Sequence, residues 1–246
     1  MNAYADTVVA DVLPVTALYV SAYTIPTETP EADGTVKWNS TTLVLVELQA
    51  GNKKGIGYTY ANESAGIVID KVLKKVIIGA NALDIPLLNA NMIKTIRNDG
   101  QTGIAMMAVS AIDNALWDLK AKLFEVPLCD LLGKAKESIL VYGSGGFTSH
   151  DKKQLQQQLS GWIDAGIQDV KIKVGTHPGE DVQRVEAARD AIGKNVFLFV
   201  DADGAYTVKQ AIEKSYQFKD CDISWFEEPV TSDNLFPTQR MQNQQG

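Results

Sequence analysis

The chain has 246 residues, enough at roughly 150 per domain for one large domain or two modest ones. Hydrophobic residues make up 45% and charged residues 22%, a globular balance that excludes disorder and collagen-like repeats. Acidic residues number 30 against 23 basic ones, a net charge of −7 that argues against nucleic acid or an anionic membrane as partner, because phosphate contacts need clustered cations.

No apolar run approaches the roughly 18 residues of a bilayer span. Val15–Val20 is short and follows Asp6 and Asp11 instead of a basic stretch, so no signal peptide is expected. Cys129 and Cys221 are far apart and form no CxxC, which predicts a reduced, cytoplasmic chain with both thiols packed as small hydrophobes. His150 and His177 are the only histidines, too few for a His-rich metal site.

In chain order, Val15–Tyr23, Thr41–Gln49 and Ile56–Tyr60 are rich in Val, Thr, Tyr and Leu and read as three antiparallel strands. Between the first two, Thr24–Ser40 carries Pro26, Pro30 and Asp33-Gly34 and reads as a long mobile loop. Ser64 caps a predicted helix that runs to Ile78 and stops at Gly79. Asp84 and Pro86 open a second helix toward Asn98. The third helix has the clearest period: Ile104, Met107, Ala108, Ala111, Ile112, Ala115, Leu116, Leu119 and Leu123. Sheet followed by helices predicts an α+β domain over residues 1–134.

From Ile139 the pattern changes. Apolar runs Ile139–Tyr142, Val170–Val174, Phe197–Val200 and Ile223–Phe226 alternate with amphipathic helical stretches. Their ends at Tyr142, Lys173, Asp201 and Glu227 fall 31, 28 and 26 residues apart, the rhythm of βα units with parallel strands. Residues 135–235 therefore predict about four units of a (β/α) array, and Phe236–Gly246 a polar, irregular tail. A doubly wound nucleotide-binding domain fits the same rhythm.

Function in such an array sits at the carboxyl ends of the strands. Lys171 and Lys173 alternate with Val170, Ile172 and Val174, so both lysines share one face. That face is either a site or the wet side of an edge strand. Asp201 ends the next strand, and Thr207 is better placed to cap the following helix, which leaves Asp201 and Asp203 without a capping duty. Glu227 follows Trp225-Phe226, where a carboxylate is costly unless it is paired or binds a cation. The glycine-rich Gly143–Phe147 stretch lacks phosphate-loop spacing and reads as a flexible loop. Carboxylates from adjacent parallel strands suit a hard cation such as Mg²⁺, and a lysine beside it suits removal of a proton α to a carboxylate. There is no GxSxG for a nucleophilic triad.

The stretch Ala108–Lys122, closing with Pro127-Leu128 and Leu131-Leu132-Gly133, resembles the mandelate racemase/muconate-lactonising branch of the enolase superfamily, as do the KxK, the DxD and the Glu-Glu-Pro in that order. General chemistry already associates that superfamily with lysine and Mg²⁺. The resemblance implies a capping domain and an incomplete TIM-like barrel. It implies Lys173 as base, Lys171 as its tuning neighbour, Asp201 and Glu227 as Mg²⁺ ligands, and Tyr58 and Asp203 as substrate contacts, Asp203 replacing a customary asparagine. The implied substrate is a small carboxylate, a hydroxy acid or sugar acid, converted through an enediolate by racemisation, cycloisomerisation or dehydration, in a family often homo-oligomeric. A complete barrel needs about eight units. Four strand ends therefore predict a truncated chain, with the third metal ligand and opposite-face acid/base outside it, and little or no turnover. The alternative is a catalytically inactive fragment or pseudoenzyme.

Overall fold

The computed structural model describes residues 12–232. The chain forms two compact units. One takes the residues up to Pro26 together with Ser40–Glu137, and the other takes Thr27–Asn39 together with the chain from Ser138 onward. The tail expected over 236–246 lies outside the described residues, as do Asp6 and Asp11.

The first unit is built on a sheet of strands β1 (Val15–Ala32), β2 (Lys37–Ala50) and β3 (Lys53–Tyr60), in the order β1-β2-β3, of which the hairpin end Thr27–Asn39 belongs to the second unit. β2 and β3 pair antiparallel from Ala50↔Lys53 to Leu43↔Tyr60, closed by Gly51, which takes a left-handed φ of 54°. One face of β2 is fully buried at Val44, Val46, Leu48 and Ala50. Helix α4 (Ile104–Leu123) lies directly on β3. A Cβ added at Gly57 would run into the Ala111 carbonyl, and one at Gly55 into the Ala115 carbonyl. The alanines of the helical period are therefore there to let two backbones touch. Ile104 and Met107, its first two members, are 40% exposed.

Two expectations in this unit change. Residues 24–40 are not a loop: β1 and β2 run through them, and only the turn after Asp33 is irregular. β1 is an edge strand among the described strands, a position in which prolines such as Pro26 and Pro30 are tolerated. The predicted helix from Ser64 divides into α1 (Ser64–Val68), a π turn (Ile69–Leu73) and α2 (Lys74–Ile77), ending before Gly79 at φ 81°. Glu63, not Ser64, holds the cap position, and Asn62 Oδ1 accepts the Ser64 N–H at 3.0 Å. Helix α3 (Ile85–Thr95) begins after Asp84 as expected, and α5 (Leu128–Leu132) is short. Cys129 on α5 is exposed, contrary to the packed thiol expected; Cys221 is buried.

The second unit holds a parallel sheet of β4 (Gly143–Gly145), β5 (Asp169–Lys173), β6 (Phe197–Asp201) and β7 (Ile223–Glu227), in chain order. Helices α6 (Lys152–Asp164), α7 (Asp181–Ile192) and α8 (Val208–Gln217) connect them. Asp151 and Thr207 each close a capping box, with Gln154 and Gln210. Leu155, Leu159, Val170, Ile172, Leu198, Val200 and Phe218 form the core.

The first strand of this sheet differs from expectation. Ile139 and Leu140 are 82% and 91% exposed, and the strand is Gly143–Gly145. Register explains it: Gly143 pairs with Val170 near the start of β5, which leaves the upstream apolar run without a partner on that strand. The glycines are packed, not flexible. A Cβ at Gly143 would strike the Trp162 ring, and Gly146 N–H is held by Gln158 Oε1 at 2.8 Å. No helix among the described residues is long and apolar enough to cross a membrane.

Candidate functional site

The register of the parallel sheet places Lys173 opposite Asp201 and Asp201 opposite Glu227, one row across three strand ends. Strand alternation puts Lys171 one step down on the same face. The row is wired by charge. Lys171 Nζ donates to Glu227 Oε2 at 2.8 Å and lies 3.1 Å from Asp201 Oδ2. Lys173 Nζ donates to Asp201 Oδ2 at 2.7 Å and Asp203 Oδ1 at 2.8 Å. Lys171 also lies 5.6 Å from the centre of the Tyr142 ring. Asp201 is 2% exposed and Lys171 8%. These are the inward lysines of the sequence reading, not wet edge-strand residues.

Burial presses both ammonium groups toward neutrality, but the carboxylates outweigh it: Glu227 and Asp201 hold Lys171, and Asp201 and Asp203 hold Lys173, above the ordinary lysine value. Burial likewise pushes Asp201 up, yet the two lysines leave it below the usual carboxylate range. For Asp203 burial wins, and its carboxyl is raised.

Sequence reasoning missed Glu228. Period-two alternation turns it away from Glu227, but β7 ends at Glu227 and Glu228 adopts φ 39°, which bends the chain back. Asp203 does the same after β6, at φ 48°. Asp201, Asp203 and Glu228 each offer a carboxylate oxygen within 4.8 Å of the others. Asp203 Oδ2 is buried without a hydrogen-bond partner among the described residues. Four carboxylates here face two ammonium groups, leaving two negative charges, and the all-oxygen donor set suits a hard divalent cation. The residues present fit Mg²⁺.

The turn of the β1–β2 hairpin borders this cluster within the second unit. Gly34 rests on the carbonyls of Val174 and Ala202, the residues that follow Lys173 and Asp201, leaving no room for a Cβ. Thr148 donates its N–H to Ala32 O at 2.8 Å and its hydroxyl to Asp33 O at 2.9 Å. A seated turn replaces the expected mobile loop. Tyr58 lies on β3 of the first unit, half-exposed, its ring edge-to-face with Tyr60 at 5.8 Å.

Residues 17–133 match the family model of the mandelate racemase/muconate lactonizing enzyme N-terminal domain, and residues 154–244 match the enolase C-terminal domain-like model. The chain belongs to the mandelate racemase/muconate lactonizing enzyme family. A mandelate racemase/muconate lactonizing enzyme-like protein from Rubrobacter xylanophilus is 49% identical, with TM-score 0.91 over 94% of this chain and 64% of that one. A racemase from Streptomyces coelicolor A3(2), solved with bound magnesium, is 30% identical, with TM-score 0.91 over 94% of this chain and 67% of that one. Arabinonate dehydratase of Saccharolobus solfataricus is 31% identical over 177 residues, 71% of this chain and 48% of the relative. Matched family members are racemases, cycloisomerases and sugar-acid dehydratases. The chain spans about half the length of the curated relatives it matches, 48–56% for four of them. Its cap and its parallel sheet with helices are the family's N-terminal domain and part of its barrel.

Proposed function

We propose that this chain carries the base and metal half of a Mg²⁺-dependent site that removes the proton α to the carboxylate of a sugar acid. The observation that carries the reading is the in-register row Lys173–Asp201–Glu227, with Lys171 beneath it. Asp201 and Glu227 would hold the cation, and Asp203 and Glu228, which each place a carboxylate oxygen within 4.8 Å of one on Asp201, would complete its shell. When bound, Mg²⁺ supplies positive charge that stabilises the negative charge developing on the substrate carboxylate. With its carboxylate partners engaged elsewhere, Lys173 would release one ammonium proton to solvent, and the neutral Nζ would then take the α-proton. Lys171, with its cationic Nζ between Asp201 and Glu227, tunes Lys173 and helps neutralise the substrate carboxylate. Asp203 meets a hydroxyl group of the substrate. The kinship to arabinonate dehydratase favours a sugar acid and loss of the β-hydroxyl as the following step. Two free cysteines accord with a cytoplasmic setting.

The test is solvent-deuterium incorporation at the α-carbon of a panel of aldonates and aldarates, followed by NMR in D₂O with Mg²⁺. Exchange by the wild-type chain that disappears in Lys173→Ala supports the reading. Exchange that survives Lys173→Ala overturns it, and no exchange with any panel member puts the inactive fragment or pseudoenzyme in its place.

A further inference from the structure

Lys173 has to hold its Nζ within tenths of an ångström of a reacting carbon if it acts as the base, and it sits on the last residue of β5, where the ladder ends. Its backbone is nonetheless fixed on both sides. The Lys173 N–H donates to Gly146 O at 3.0 Å. The guanidinium of Arg184, on α7, reaches the same Gly146 carbonyl through Nη2 at 2.8 Å and the Lys173 carbonyl itself through Nε at 3.0 Å. Two further N–H groups go to Phe147 O at 2.6 Å and His150 O at 3.1 Å. Four of the five guanidinium donors thus gather carbonyls from the end of β4, its following loop and the end of β5.

Every one of those partners is a neutral peptide oxygen. A half-buried cation spent on carbonyls is an expensive way to close a loop, and a planar fork is the side chain that can bind several at fixed angles. Burial pushes the Arg184 pKa down, with Asp181 alone opposing it.

We propose that Arg184 is a positioning residue for Lys173: one guanidinium grips the Lys173 carbonyl directly, together with the Gly146 carbonyl that receives the Lys173 N–H, and so fixes where the Nζ points. The proposal rests on Lys173 being the base, and it deepens that reading.

The test compares wild-type chain with Arg184→Lys, which keeps the charge and loses the fork, and with Arg184→Ala plus millimolar guanidinium. A cavity of about 250 Å³ lined by Arg184, His150 and His177 gives the added ion a way in. Amide hydrogen exchange is read at Lys173 and, as a core reference, at Val200. The expected result in Arg184→Lys is at least about tenfold lower protection at Lys173 with Val200 unchanged, restored in Arg184→Ala by guanidinium. In α-proton exchange the turnover falls and KM holds. Equal losses at Lys173 and Val200, or no loss at either, overturn the proposal. Absence of α-exchange in wild type would remove the base role, while the amide readout still decides whether Arg184 fixes the Lys173 backbone. If Arg184→Ala does not fold, Arg184→Lys alone carries the decision.

Discussion

Among the described residues the first unit buries no charged side chain, whereas the second buries Lys171, Asp181, Asp201 and Lys214. Both units have apolar cores of similar character, Val44, Ile69, Ile112 and Leu116 in one, Val170, Leu198, Val200 and Phe218 in the other. What separates them is buried charge. The first presses helix α4 onto glycines of β3, backbone against backbone. The second seats Gly34 on two carbonyls as tightly, but it also brings buried charge together at strand ends, which the first does not. A desolvated ion cluster is a poor device for stability, because removing charges from water costs about what their attraction returns. Its presence among the described residues of one unit only is the ground for the site proposed there.

The contrast is broken most severely at Gly57. Gly57→Ala forces α4 off β3 and is expected to cost about 3 kcal/mol, the upper end of overpacking, in denaturant unfolding of the first unit. The next largest effect is in the other unit. Asp201→Asn removes the charge shared by Lys171 and Lys173 and is expected to cost about 1.5–3 kcal/mol in the metal-free protein at pH 7.

Acidity sharpens the comparison further, because the two aspartates of the cluster shift in opposite senses. The Asp201 carboxyl is depressed below 3.8, so its stabilisation is complete above that pH and disappears as pH falls through its lower folded value. The Asp203 carboxyl is raised above 3.8, so stability is lost as pH climbs through its folded value. Asp203→Asn is therefore expected to stabilise the metal-free protein at pH 7 by about 0.5–1 kcal/mol, and to do nothing at pH 3. Urea titrations at the two pH values measure both variants, and a destabilised Asp203→Asn at pH 7 would reverse the assignment. The smallest effect belongs to the exposed Lys209–Glu213 pair at 3.9 Å, where Lys209→Ala should change the midpoint by less than about 0.5 kcal/mol.

Much of the site could be read from sequence because parallel strands obey simple rules. Period two put Lys171 and Lys173 on one face, and the near-constant spacing of strand ends predicted that Lys173, Asp201 and Glu227 would share a level. The rest depended on things composition does not encode. Residues 24–40 look like a loop because of Pro26, Pro30 and Gly34, yet an edge strand accommodates the prolines and the glycine seats a turn on two carbonyls. Ile139–Tyr142 has the apolar content of a strand, but pairing was decided by where β5 begins. Glu228 became visible only through a left-handed backbone, and Arg184 only because its partners are carbonyls, which every residue has.

The most direct test of a cation site on this row is a calorimetric Mg²⁺ titration of the wild-type chain beside Asp201→Asn. Wild type should take up one ion, and the variant should weaken it by at least the roughly 10–100-fold that losing even an outer partner costs. Equal affinity in the two proteins, or no Mg²⁺ uptake by wild type, would contradict the account.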